Sequence, residues 1–347
     1  MRYVLITLFV VFTLSMPVQA IEFQAPKVPE SGERYMPKET DSFAEGLWYI
    51  IKEGTAQLRP SIAECCGVCF STIICVILCS VVKALPGVSG KTVELVSTLL
   101  IGYLLLKPSN TMIHLGAKTI EEISIYGKLL FPVLTAALAA GGGVTQSTSL
   151  YAITVAMNSI LSFIVSSALI PGVYMYLCLS VVAGVIGDHY IDKIKNFVKW
   201  AITWGMKILL YIFTGFMSIT GVVSGTADVS AVKATKLTIS GMVPVIGNIL
   251  SDASETVLVS AALVRNAAGI YGLLAVLSVW IAPFIRIGTQ YLLFKLTWSF
   301  CDVFSAKETY KLIGDFSSAM GVVLAMTGII CILLLVSVVC FMKGAGI

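Results

Sequence analysis

The run Pro244-Val245-Ile246-Gly247-Asn248-Ile249-Leu250-Ser251-Asp252-Ala253-Ser254-Glu255 sets two carboxylates inside a stretch that is otherwise compatible with lipid. Asp252 and Glu255, three positions apart, would share one face of a helix. Arg265 and Asn266 follow ten residues after Glu255. An ionisable group inside a membrane segment is costly and marks a functional path or a pairing. The chemistry would be passage of a cation or proton, or pairing of the carboxylates with Arg265 or with a partner subunit. A plainer reading stands beside it: Ser251 and Asp252 cap a helix at the interface, with Glu255 in its first turn.

The same neighbourhood shows an internal echo. Phe131-Pro132-Val133-Leu134 matches Val243-Pro244-Val245-Ile246, and each copy has a second proline 39 residues on, Pro171 and Pro283. The offset is 112 residues both times, which suggests a tandem repeat of about 88–187 and 200–299. Pro132, Pro171, Pro283 and the run Gly141, Gly142, Gly143 are candidate helix breaks. Broken helices at matching places in two halves point to a transport site. They must face protein or a water-filled cavity, because exposed backbone is not tolerated in hydrocarbon. The segments starting near Leu129 and Gly241 are short and polar-ended, as re-entrant segments are.

The elements that must carry these residues are membrane helices. The chain has 347 residues, 57% of them hydrophobic and 12% charged. Soluble domains carry about 25% charged residues. The expected fold is an all-α, polytopic helical membrane protein with roughly seven to ten spans or re-entrant segments. Residues 62–347 form the membrane domain, and the last span, 319–342, is the most apolar. Hydropathy separates a span over 92–106, an interfacial helix over 107–128 and a short segment over 129–140. Polar intervals are expected at 188–199 and 301–316.

Residues 1–20 have the form of a cleavable signal peptide: Arg2, a short apolar core to Met16, and small residues before a cut after Ala20. Residues 21–61 form an extracytoplasmic segment with seven acidic and five basic residues over 21–60. Its first part, to about Thr40, is expected to be extended and mobile. From there Phe43, Leu47, Ile50 and Ile51 keep helical spacing, with Asp41 or Ser42 as cap. That helix is expected to lie on the outer face of the membrane.

Other chemistries find little footing. Gly90-Lys91-Thr92 ends like a phosphate-binding loop, but Leu85 stands where its first glycine belongs. Cys66 and Cys69 have redox spacing without a thioredoxin-like context. His114 and His189 stand far from any cysteine pair or catalytic serine, so neither a metal site nor a hydrolase is expected. No long basic run suggests nucleic acid. The reading is a non-enzyme with no cofactor.

The stretch Pro244-Val245-x-Gly247-x-x-Leu250-Ser251-Asp252-Ala253-x-Glu255-Thr256-Val257, with Asn266-Ala267-x-Gly269-Ile270-x-Gly272-Leu273 after it, resembles the stage III sporulation protein AE family of endospore-forming bacteria. The family pattern carries Asp where this chain has Glu255, so the charge is kept. The signal peptide, the length and the multi-span layout are similar too. The resemblance implies a multi-pass protein of the mother-cell membrane facing the forespore. It implies a transenvelope channel complex needed after engulfment, with an ATPase and a ring-forming membrane protein as partners. It brings no catalytic residues. A free-standing secondary transporter is the other reading that the repeat and the membrane carboxylates allow.

Overall fold

The structure, a computed structural model, describes residues 26–38, 42–56, 58–141, 144–187, 189–213, 215, 246–303 and 307–343. The side chains of Thr145, Gln146 and residues 246–262 are outside that description. So are the expected signal peptide, Gly142, Gly143, Pro244 and the segment starting at Gly241. Among the described residues every regular element is helical. In chain order they are α1 (Glu30–Glu33), α2 (Phe43–Thr55), α3 (Leu58–Lys83), α4 (Gly90–Ala140) and α5 (Val144–Ile164). A π turn at Val165–Leu169 leads from α5 into α6 (Ile170–Ile186); then come α7 (189–213), α8 (Ile246–Cys301) and α9 (Lys307–Lys343). Among the described residues five runs are long and apolar enough to cross a membrane: Phe43–Lys83, Gly90–Ala140, Ser147–Ile186, Leu263–Cys301 and Lys307–Lys343.

The core is where α4, α8 and α9 meet, with Leu105, Ile113, Leu130, Val279, Ile287 and Phe316 fully buried. Gly116 of α4 lies against both Val323 and Ile287, Gly127 against Leu334, and Gly272 of α8 against Leu130. Hence α4 and α9 run parallel and α8 runs against both. The α5–α6 run is antiparallel to α4: Asn158 Nδ2 donates to the Ser124 carbonyl at 2.8 Å, and farther along Tyr174 Oη donates to Asn110 Oδ1 at 2.8 Å.

Several expected boundaries disappear. The span, interfacial helix and short segment read over 92–140 are one helix of 51 residues, about 76 Å long at 1.5 Å per residue. Ser109, Met112, Ile113, Gly116, Thr119, Ile120 and Ile123 keep a buried stripe at helical spacing, so α4 continues while its charges stay on the other face. The polar interval read over 301–316 is mostly the first turns of α9. Pro132 and Pro283 are not breaks, since α4 and α8 are helical straight through them. In a bundle, neighbouring helices stabilise the turn that proline weakens. At Pro171 the helix widens instead: the Ile170 N–H reaches back to the Val165 carbonyl, closing a π turn just before the ring. The chain does break at Gly141, which follows the last residue of α4.

The N-terminal region is also packed differently from expectation. Residues 26–38 dock on the bundle instead of trailing, with Val28, Gly32 and Tyr35 buried. Ser42 caps α2 by accepting from the Glu45 N–H at 3.3 Å. The α2 helix packs on the bundle: Gly46, Ile50 and Gly54 turn inward onto α8. A methyl group built on Gly54 would stand 2.5 Å from the Ile281 side chain, so the close approach needs glycine there.

Candidate functional site

A groove of about 820 Å³ with several charged and polar lining residues opens at the mid-length of the bundle. Its floor is one face of α4, where Asn110, His114, Lys118 and Glu121 recur at helical spacing. One wall comes from α5 and the π turn, with Ser162 and Ser166, and Arg286 of α8 stands on the other side. π turns inserted in α-helices occur often at functional sites, where the extra residue re-aims side chains.

Hydrogen bonds orient the groove. Tyr174 donates to Asn110 Oδ1, leaving the amide NH₂ of Asn110 as a donor. Ser166 Oγ donates to the Ser162 carbonyl at 2.8 Å and keeps its lone pairs for another partner. Arg286 Nη2 is 3.3 Å from Glu64 Oε2 on α3. Lys118 is 3.7 Å from Glu122, and Glu122 also accepts from Ser31 of the docked N-terminal segment.

A second cluster lies toward the end where α6, α7 and α9 meet. Lys195 Nζ bonds Asp192 Oδ1 at 2.8 Å and Asp315 Oδ2 at 2.7 Å, and Tyr176 Oη donates to Asp315 Oδ1 at 2.8 Å. Lys311 bridges Asp192 at 3.2 Å and Glu308 at 3.1 Å. Burial acts to raise the Asp192 carboxyl, but hydrogen bonds and charge from Lys195 and Lys311 prevail and hold it below the usual range. Burial likewise acts to lower the Lys195 ammonium, and Asp315 and Asp192 together push it up. Lys199, over the Tyr176 ring, is lowered by burial despite Asp315. The cluster clamps three helices together.

The structure separates the residues singled out by sequence from this groove. Gly247, Ser251, Asp252 and Glu255 lie in the first turns of α8. Asp252 is about 50 Å along that helix from Arg286 at 1.5 Å per residue. The helix already runs from Ile246, so Ser251 and Asp252 do not cap it. Arg265 is buried on α8 and Asn266 is exposed. Of the prolines, Pro171 lies one residue beyond the lining residue Ile170. The expected interfacial helix over 107–128 takes in Lys118 and Glu121, but sequence reasoning did not place them, or Asn110, His114, Ser162, Ser166 and Arg286, in a groove. It also missed the pairing of Asp192 and Lys195 with Asp315. The spacing of 110, 114, 118 and 121 on one helical face was the available signal.

Residues 38–345 match the family model described as stage III sporulation protein AE, a range that takes in α2 through α9. The chain belongs to the stage III sporulation protein AE family. It is 23% identical over 227 residues to the stage III sporulation protein AE of Bacillus subtilis (strain 168), covering 65% of this chain and 57% of that protein. The match thus spans less than two thirds of the relative's length. No solved structure matches. The family is named for sporulation, and among the described residues five runs are long and apolar enough to cross a membrane, which supports a membrane protein.

Proposed function

We propose that this protein is a membrane subunit of the mother cell-to-forespore channel complex that sporulation requires after engulfment. It is a non-enzymatic component of the mother-cell membrane, and its partners are the other membrane subunits and the ATPase of that complex. The observation that carries this reading is the extent of the family match, which takes in α2 through α9. A free-standing permease is the second reading, favoured by the polar groove at mid-length.

The test is complementation in the spore-forming host. The gene is deleted, and either the native chain or Asp252→Asn/Glu255→Gln is returned at matched membrane levels. Forespore size and late gene expression are followed after engulfment. The expected result is rescue by the native chain and failure of the double variant. Rescue by both would make the protein a scaffold indifferent to those carboxylates. A deletion with no forespore defect would overturn the channel-complex reading.

A further inference from the structure

The groove carries charge on helices that are otherwise largely apolar. Lys118 and Arg286 stand at the mid-length of runs long and apolar enough to span a membrane. Among the described lining residues Glu121 is the one carboxylate, against these two cations. Their ion-pair partners, Glu122 and Glu64, are outside the lining, at 3.7 Å and 3.3 Å. The Lys118 pair is long, with the Lys118 side chain 71% exposed, while Arg286 also hydrogen-bonds Glu64 from one of its nitrogens. The Asn110 amide NH₂ adds a neutral donor from the same floor. Two cations lining one cavity form a donor set that recognises a phosphate or carboxylate oxygen.

We propose that this groove binds an anionic group, a phosphate or a carboxylate, between Lys118 and Arg286. The binding requires neither conduction nor partner subunits, and so goes beyond the complex-subunit reading. The anion is held by charge-assisted hydrogen bonds from the two cations, and Ser166 sits on the facing wall at the same level.

The test uses the full-length chain in phosphatidylcholine nanodiscs. Cys178→Ser removes an exposed cysteine, and Ser166→Cys is the reporter for a membrane-impermeant maleimide, with the same chain lacking the reporter as blank. Inorganic phosphate or citrate is expected to slow reporter labelling severalfold relative to chloride at equal ionic strength. Lys118→Gln/Arg286→Gln is expected to abolish that protection, measured against the same variant's own rate in chloride. Should the double variant not fold, Lys118→Gln alone is expected to weaken the protection. Protection seen only in discs containing phosphatidylglycerol would identify the anion as a lipid headgroup and support the site with that source. No protection by phosphate, citrate or phosphatidylglycerol would overturn the proposal. Protection that survives loss of the cations, or a reporter that never labels, would do the same.

Discussion

Lys195 shows how much one side chain can depend on its partners. It is nearly buried and meets two carboxylates at 2.8 and 2.7 Å. Removing one member of a buried ion pair leaves an uncompensated charge and costs about 3–5 kcal/mol. Lys195→Ala is therefore expected to lower the apparent melting temperature in detergent clearly. Lys195→Met combined with Asp315→Leu is expected to cost less, because neither charge is then left alone. An unchanged melting temperature for Lys195→Ala would mean that the clamp contributes nothing. The pH dependence follows from the same contacts. The Asp192 carboxyl is held below its ordinary value of 3.8, so its contribution is complete above that pH and is lost as pH falls through the lowered value. The Lys195 ammonium is held above its ordinary value of 10.5, so its contribution is complete below that pH and is lost as pH rises through the raised value. Thermal scans of the native chain are expected to show a plateau between those limits. The Lys195→Ala scan is expected to lack the alkaline loss due to this group.

At the scale of elements, hydropathy conveyed helix and membrane but not helix ends. The all-α membrane class was legible because apolar residues this abundant can be buried only in lipid or against other apolar helices. The length of α4 was not legible. A hydropathy average falls wherever one face carries Lys107, Lys118, Glu121, Glu122 and Lys128, even though the other face keeps its buried stripe. The groove was hidden for the same reason: its charges looked like an interfacial helix, and their facing walls come from residues 41 to 168 positions away in sequence. The docking of α2 was hidden because glycine has no hydropathy signal, although Gly46 and Gly54 make its contact with α8 possible. That contact is testable. Overpacking a close contact costs about 1–3 kcal/mol. A methyl at Gly54 meets the branched Ile281 side chain at 2.5 Å, whereas one at Gly46 meets the more flexible tip of Leu274 at 2.7 Å. Gly54→Ala is expected to raise amide hydrogen exchange across 43–55 more than Gly46→Ala does. Equal exchange in both variants and the native chain would mean that α2 is not held by this packing.

For the whole molecule, the question is whether the bundle can work alone. A secondary transporter exposes a central site alternately to each side by rocking one set of helices against another. Here α4, α8 and α9 interlock from the Thr98–Thr309 contact at one end to Phe131 stacked on Phe341 at the other. The Lys195 clamp fastens α7 and α6 to α9 near the first of these. A core interlocked over this length leaves little room for rocking, although its groove is open at mid-length. Such an arrangement suits a subunit that completes a path with its partners better than a carrier that cycles by itself. The purified chain in liposomes is therefore expected to give no concentrative uptake of phosphate or citrate under an imposed proton or sodium gradient. From sporulating cells it is expected to co-purify with other membrane subunits. Gradient-driven uptake by the chain alone, lost in Lys118→Gln/Arg286→Gln, would reverse the order of the two readings and make the groove the substrate site of a permease. Anion protection of the groove without uptake would place the binding step in this subunit and the driving force in another.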